Sequence, residues 1–287
     1  MQQRAGTTDA ADAILRAIRH EIPQPVETFL REQHLLVVAG IATGGDASEH
    51  VWASLLTGTP GFVSVTDPRS VSIDAAFIAS DPLYHAFDRT APVGLLAIEL
   101  STRRRVRLNG HAQRLNADGP LVMHVDDVFP NCRQHIRARE IVHDAVAEAP
   151  PIVRRPETTL TTTQREWIAN ADTFFVATSA EHRADASHRG GERGFLRALD
   201  DTHLLWPDYD GNAMFLTLGN LELDPRCGLL LIDWERGATL QLTGNAHVNW
   251  RPTPHFPEVT RTISYTIERV VETTNAIPIR WQTRDDI

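Results

Sequence analysis

"CGLLLIDWERGATLQLTGNAH", residues 227–247, has a near-copy earlier in the same chain, "VGLLAIELSTRRRVRLNGHAQ", at residues 93–113. Each opens on an apolar residue and a glycine, runs through an apolar stretch, turns in a charged centre and returns. In "IDWERGATLQL" the acidic, Gly-containing centre is that of a β-hairpin. Working outward, "LLVVAG" (35–40) matches "TFFVAT" (173–178), "GDAS" (45–48) matches "ADAS" (184–187), and "GTPGF" (58–62) matches "GERGF" (191–195). The order is kept, and the offset is 138 to 139 in the first blocks, 133 at "GTPGF" and 134 at the hairpins. Self-similarity of this kind predicts two copies of one domain, residues 21–148 and 157–287, separated by the Pro- and Thr-rich linker "AEAPPIVRRPETTLTTT". The extension over residues 1–20 reads as an amphipathic docking helix, with Ile14, Leu15, Ile18 and Ile22 on its apolar side.

Within each copy the short runs rich in β-branched, aromatic and leucine residues, such as "FFVATS", "HLLWPDY" and "TLQLTGNAHV", read as strands broken at Gly, Asp and Pro. Helices are expected at "PVETFLREQ", at "TTQREWIANAD", and at "NAMFLTLGNLELDP", where Met214, Leu218 and Leu221 recur at helical spacing before Pro225. The fold class is therefore mainly β with peripheral helices: a small antiparallel barrel of six or so strands, used twice in tandem.

The 37 acidic against 28 basic residues, a net charge of -9, disfavour a nucleic-acid partner, because phosphate neutralisation needs a broad basic face. No stretch approaches the ~20 apolar residues of a membrane span. Two cysteines, Cys132 and Cys227, make neither a disulfide framework nor a CxxC motif, so a reducing cytoplasm is expected, with Cys132 a small buried hydrophobe. The 13 histidines include no HExxH pattern, and no metal site is expected. Ser187 beside His188 is no catalytic triad, since there is no G-x-S-x-G elbow. No catalytic acid or base is identified.

Against this acidic background "RADASHRGGERGF" (183–195) concentrates Arg183, His188, Arg189 and Arg193 around Gly190, Gly191 and Gly194. Arginine forks and close-approaching backbone N–H groups suit a phosphate; a solvated hairpin is the plain alternative. "STRRRVRLNG" in the first copy lacks interleaved aromatics and reads as a solvated hairpin.

The order "ADASHRGGERGFLRALDDTHLLWPDYDGNAMFLTLGNLELDPRCGLLLID" resembles the FMN-binding split barrels of the pyridoxamine 5'-phosphate oxidase-like flavoproteins. It is closest to a subgroup in which "SHRGG", "PDY-GN" and "TLGNL-DPR-GLL-ID" recur. "FPNCRQHIRARE" resembles the motif joining the two halves there. The resemblance implies two tandem FMN-binding split β-barrels with a flavin at the seam between them. It assigns the phosphate to Ser187, His188 and Arg189, with Arg193 and Arg197 beside them. Pro207, Asp208 and Tyr209 lie along the ring and ribityl chain, Asn212 and Met214 at the family's phosphate clamp, and Thr239 and Gln241 on a further flavin-facing strand. The clamp's Arg and Lys are missing, which moves phosphate binding toward Arg189 and the helix N-terminus. Aligning "GDAS" with "ADAS" puts Glu49 where His188 stands, so the first barrel is expected to be degenerate.

The implied function is an FMN-dependent oxidoreductase acting on a small-molecule substrate, served by a separate reductase and assembled as a homodimer; the alternative is a non-catalytic flavin or haem binding or storage protein. Pyridoxamine phosphate is not the expected substrate, because "ISYTIERVVETTNAIPIRWQTRDDI" lacks the W-x-x-R-x-H-type ending.

Overall fold

The computed structural model describes residues 16–45, 47–116, 119–130, 134–142, 149–209 and 214–284. The first half holds α1 (Gln24–Arg31) and strands β1 (Leu35–Thr43), β2 (Glu49–Thr57), β3 (Val63–Asp67), β4 (Ser70–Ile73), β5 (Ala91–Glu99), β6 (Arg104–Arg114) and β7 (Leu121–Pro130). Two short strands, β8 (Arg139–Val142) and β9 (Ile152–Val153), lead to α2 (Thr162–Asn170). The second half holds β10 (Thr173–Ala180), β11 (Arg183–Gly190), β12 (Arg197–Ala198), β13 (His203–Pro207), α3 (Leu216–Leu223), β14 (Arg226–Asp233), β15 (Ala238–Asn249), β16 (Thr262–Thr274) and β17 (Arg280–Thr283).

The duplication is visible in the topology. One sheet runs β2-β1-β5-β6-β7-β4-β3 and the other β11-β10-β14-β15-β16-β13-β12, the same path with every strand replaced by its copy. In the first, side chains from all seven strands, among them Leu36, Trp52, Val63, Val71, Leu95, Leu108 and Met123, meet in one core, so the sheet curls around itself. The second encloses Phe174, Trp206, Leu229, Leu242 and Tyr265 in the same way. Gly61 and Gly194, at matching places in "GTPGF" and "GERGF", both take the left-handed conformation that favours glycine. Both hairpin returns also carry a bulge at the same point, Asn109/Gly110 and Thr243/Gly244.

A third core lies between the barrels. Val37, Ala39 and Leu96 from one half pack there against Phe175, Ala177 and Leu230 from the other. Along β10, Phe174 and Val176 point into the barrel while Phe175 and Ala177 point at its neighbour. Burial on both faces explains why "TFFVATSA" and "LLVVAG" are continuous apolar runs rather than alternating ones. The backbones touch at two equivalent glycines. A Cβ on Gly94 of β5 would sit 2.6 Å from Asp185 Cα on β11, and one on Gly228 of β14 would sit 2.6 Å from Ala53 N on β2. The two contacts are reciprocal, the mark of a pseudo-twofold pair within one chain.

Strand register corrects one sequence alignment. Ala39 pairs with Ala53, and its copy Ala177 pairs with Ala186. The counterpart of "ADASHRGG" (184–191) is therefore "VWASLLTG" (51–58), not the "GDAS" block, and Leu55 rather than Glu49 stands where His188 does. The cause is turn length: β10 and β11 are joined by two residues, Glu181 and His182, both at positive φ as a tight hairpin requires, whereas residues 44–48 join β1 to β2. The segment weighed as a solvated hairpin is a strand, β11, as far as Gly190.

Of the N-terminal extension, residues 1–15, including Ile14 and Leu15, lie outside the described residues. Residues 16–22 are not helical; Arg19 bridges to Val128 of β7 instead. Cys132 also lies outside the described residues, while Cys227 is buried and burial pushes its thiol up. Among the described residues no helix is long and apolar enough to cross a membrane.

Candidate functional site

The inward face of β11 differs from that of its copy. Val176, a barrel-core residue, pairs with Ser187, so Asp185, Ser187 and Arg189 share the face turned to the barrel interior. On β2 the matching residues are Trp52, Ser54 and Leu56, and Trp52 and Leu56 belong to an apolar core. One barrel thus flanks its serine with hydrophobes where the other flanks it with an acid and a guanidinium. Buried charge survives only where it is paired or serves a ligand.

The pairing comes from the other half of the chain. Strand β6 passes along the free edge of β11 and presents Arg105, Arg107 and Asn109 at period two. Arg107 lies 3.1 Å from Asp185, whose side chain is 1% exposed. Asn109 Nδ2 donates to the same carboxylate at 3.3 Å. Arg105 lies 2.8 Å from His188 Nδ1. An arginine can only donate, so Nδ1 accepts and the imidazole proton sits on Nε2. Burial, followed by the charges of Arg105, Arg189 and Arg139, holds the His188 pKa well below 6.5, and the ring is neutral. Arg189 pairs with Asp208 at 2.9 Å, and Arg261 takes the second oxygen of Asp208 at 3.0 Å. Arg139 of β8 pairs with Asp172 and lies over the Trp234 ring.

Among the described residues, the guanidinium groups of Arg105, Arg107, Arg139, Arg189 and Arg261 and the carboxylates of Asp172, Asp185 and Asp208 gather around neutral His188. Arg107 Nε, Arg189 Nε and His188 Nε2 are buried, and none has a hydrogen-bond partner among the described residues. Unmatched buried N–H groups of arginines and a neutral imidazole are the donor set of an anion site. A phosphate of ~-2 charge fits these donors.

The sequence-predicted residues separate into groups. Ser187 and Arg189 lie on the inward face of β11, Ser187 fully buried and accepting from Thr217 of α3 at 3.2 Å. His188 lies on the opposite face, its ring 5.8 Å from that of Phe175. Pro207 ends β13 opposite Thr262, and Asp208 is committed to the two arginines. Tyr209 stacks on His135 at 5.1 Å beside a cavity of about 300 Å³ at the Gly191 end of β11. Met214 lines a larger cavity of about 620 Å³ at the Arg183 end, with Asn109, Phe129, Phe215 and Trp250. Asn212 lies outside the described residues. Arg193 lines a different cavity, of about 400 Å³, with Trp167, Trp234 and Trp281.

Gln241 is not at this cluster. It crosses the opposite seam and donates to Ala53 O at 3.1 Å. In the other half its place is taken by Arg107, since Ile98 pairs with Arg105 as Ile232 pairs with Thr239. Thr239, Gln241 and Thr243 are accordingly the copies of Arg105, Arg107 and Asn109. The reading of "STRRRVRLNG" as a solvated hairpin is therefore corrected for its inner part: Arg107 keeps 12% side-chain exposure, and Arg105 and Arg107 face the seam. The alternation of Arg105, Arg107 and Asn109, set against the neutral residues of the copy, is the signal that would have found them.

Residues 160–279 match the family model described as pyridoxamine 5'-phosphate oxidase. Among solved structures, HupZ of Group A Streptococcus is 17% identical with a TM-score of 0.32, covering 39% of this chain and 91% of its own. A FAD-binding protein of Mesorhizobium loti is 12% identical with a TM-score of 0.29, covering 43% of this chain and 98% of its own. A search of curated proteins finds no match.

Proposed function

We propose, from the match of residues 160–279 to the pyridoxamine 5'-phosphate oxidase family model, that the chain binds flavin mononucleotide at the seam between β6 and β11 and uses it as an oxidoreductase. The observation that carries this reading is the set of buried N–H groups there, on Arg107, Arg189 and His188, that lack partners among the described residues. Arg189 and Arg107 hold the phosphate, and neutral His188 offers its Nε2 proton as a further donor. Asp185, Asp208 and Arg261 fix the arginines in place, which reduces the reorganisation that ligand binding would otherwise require. When bound, the flavin supplies the two-electron chemistry, and the protein contributes orientation, electrostatics and access. The cavity by Met214, open beside Asn109, is the entry for a small-molecule substrate, and electrons come from a separate reductase. Strands β6 and β11 meet within one chain, so a homodimer would carry two such seams.

The test is the spectrum of protein purified without added cofactor, followed by titration of the apoprotein with FMN and with riboflavin. The expected result is the two-band absorbance of oxidised flavin and a clear preference for FMN. A colourless protein that binds neither flavin, or a haem spectrum, overturns the reading. Anaerobic reduction by NAD(P)H or a reductase, followed by reoxidation, separates an oxidoreductase from a protein that only stores the flavin.

A further inference from the structure

A pseudo-twofold pair of barrels has two seams, and the second one is chemically the inverse of the first. Where β6 presents Arg105, Arg107 and Asn109 to β11, β15 presents Thr239, Gln241 and Thr243 to β2. Where β11 carries His188 and Arg189, β2 carries Leu55 and Leu56. Arg105, Arg107 and Arg189 of the first seam are each replaced by a neutral side chain. An anion is nevertheless present, and the chain supplies it: Asp81, in the connection between β4 and β5. Ser54, the copy of Ser187, donates to Asp81 Oδ2; Gln241, the copy of Arg107, donates to the same oxygen at 3.2 Å; and the backbone N–H of Leu83 donates to Oδ1 at 2.8 Å. In the first seam Ser187 instead meets a neutral hydroxyl, Thr217.

We propose that Asp81 is a built-in anion that latches the second seam shut, so that each chain has a single flavin site despite its two barrels. The carboxylate takes three donors of the kind a ligand phosphate would take, and the positions that copy Arg105, Arg107 and Arg189 hold no cation. Thr243 Oγ1 donates to Val51 O at 2.7 Å and Gln241 to Ala53 O, so the edge carbonyls of β2 are also engaged by the protein itself. Leu83, next to the latch and fully buried, ties the connection into the first barrel's core. In the seam that β6 makes with β11, arginines hold the carboxylates of Asp185 and Asp208, and the buried N–H groups of Arg107, Arg189 and His188 have no partner among the described residues.

The count of sites rests on the flavin reading above, whereas the latch itself does not, and the experiment separates them. Equilibrium titration of the full chain with FMN is expected to saturate at one FMN per chain; two per chain overturns the proposal. In the apoprotein, Asp81→Ala is expected to speed amide hydrogen exchange in residues 74–90 and in β2 at least tenfold, while exchange in β10 and β14 stays within twofold. Asp81→Asn, which keeps the side-chain shape, gives the same pattern in weaker form if the alanine variant folds poorly. Unchanged exchange in both variants overturns the latch. Absence of any FMN binding by the wild type sinks the flavin reading, and the exchange result still decides the latch.

Discussion

His188 was expected from its sequence neighbours to be a positively charged phosphate ligand, and its burial makes it a neutral donor instead. Its folded pKa lies well below 6.5 while the unfolded chain titrates near that value. As pH falls below about 6.5 the unfolded state takes up the proton first, and stability drops by ~1.4 kcal/mol per pH unit from this group alone. Asp81 acts in the opposite sense. Burial pushes it up to about 6 from the usual 3.8, so the folded chain holds this proton more tightly and stability rises as pH falls from 6 toward 3.8. His188→Leu, which copies Leu55, is therefore expected to remove the acid-side loss, and denaturant unfolding at several pH values between about 5 and 7 measures it. A slope equal to that of the wild type would contradict a neutral His188. Arg189→Ala leaves Asp208 paired with Arg261 and is expected to weaken FMN binding by ~2–4 kcal/mol with almost no effect on riboflavin. Equal losses for both ligands, read by flavin fluorescence, would remove Arg189 from the phosphate.

Strands β5 and β14 bring the two barrels into backbone contact at Gly94 and Gly228. A methyl group at either site meets backbone atoms at 2.6 Å, which cannot move as a flexible side chain would. Gly94→Ala and Gly228→Ala are each expected to destabilise by ~1–3 kcal/mol. Only Gly94→Ala, which displaces β11, is expected also to lower FMN affinity; matched losses of affinity in both variants would place the ligand elsewhere. These glycines were readable in the sequence as the start of "VGLL" and "CGLL", but their role needed the contact between strands far apart in the chain. The helices were legible for local reasons. For α2, Thr161 and Gln164 form a capping box whose signature is short-range. The correspondence of β2 to β11 was misaligned because hairpin register depends on turn length, and the chemistry of a turn does not announce how many residues it takes. The placement of Ser187 and His188 on opposite faces follows from a strand period of two and was legible in the sequence.

At the scale of the molecule, duplication was the feature most legible in the sequence, and the shared strand order of the two sheets follows from it. The site was half legible. Its β11 residues lay in one contiguous run, whereas Arg105 and Arg107 came from the barrel expected to be inert, and Gln241 proved to belong to the opposite seam. A site shared between repeats is visible only when each strand is compared with its copy, position by position. The seam also depends on the segment joining the halves: a Cβ on Gly190 would meet the carbonyl of His135, and Arg139 from β8 adds its charge beside His188. The central claim is that β6 and β11 of one chain together form the seat for a phosphate. It is tested most directly by giving the first seam the side chains of the second, in the variant Arg105→Thr/Arg107→Gln, and measuring the ratio of riboflavin to FMN dissociation constants. The ratio is expected to fall by ~30-fold or more, matching loss of ~2 kcal/mol or more of charge-assisted contact to the phosphate, with riboflavin affinity nearly unchanged. A ratio equal to that of the wild type, in a variant that remains folded, would contradict the account.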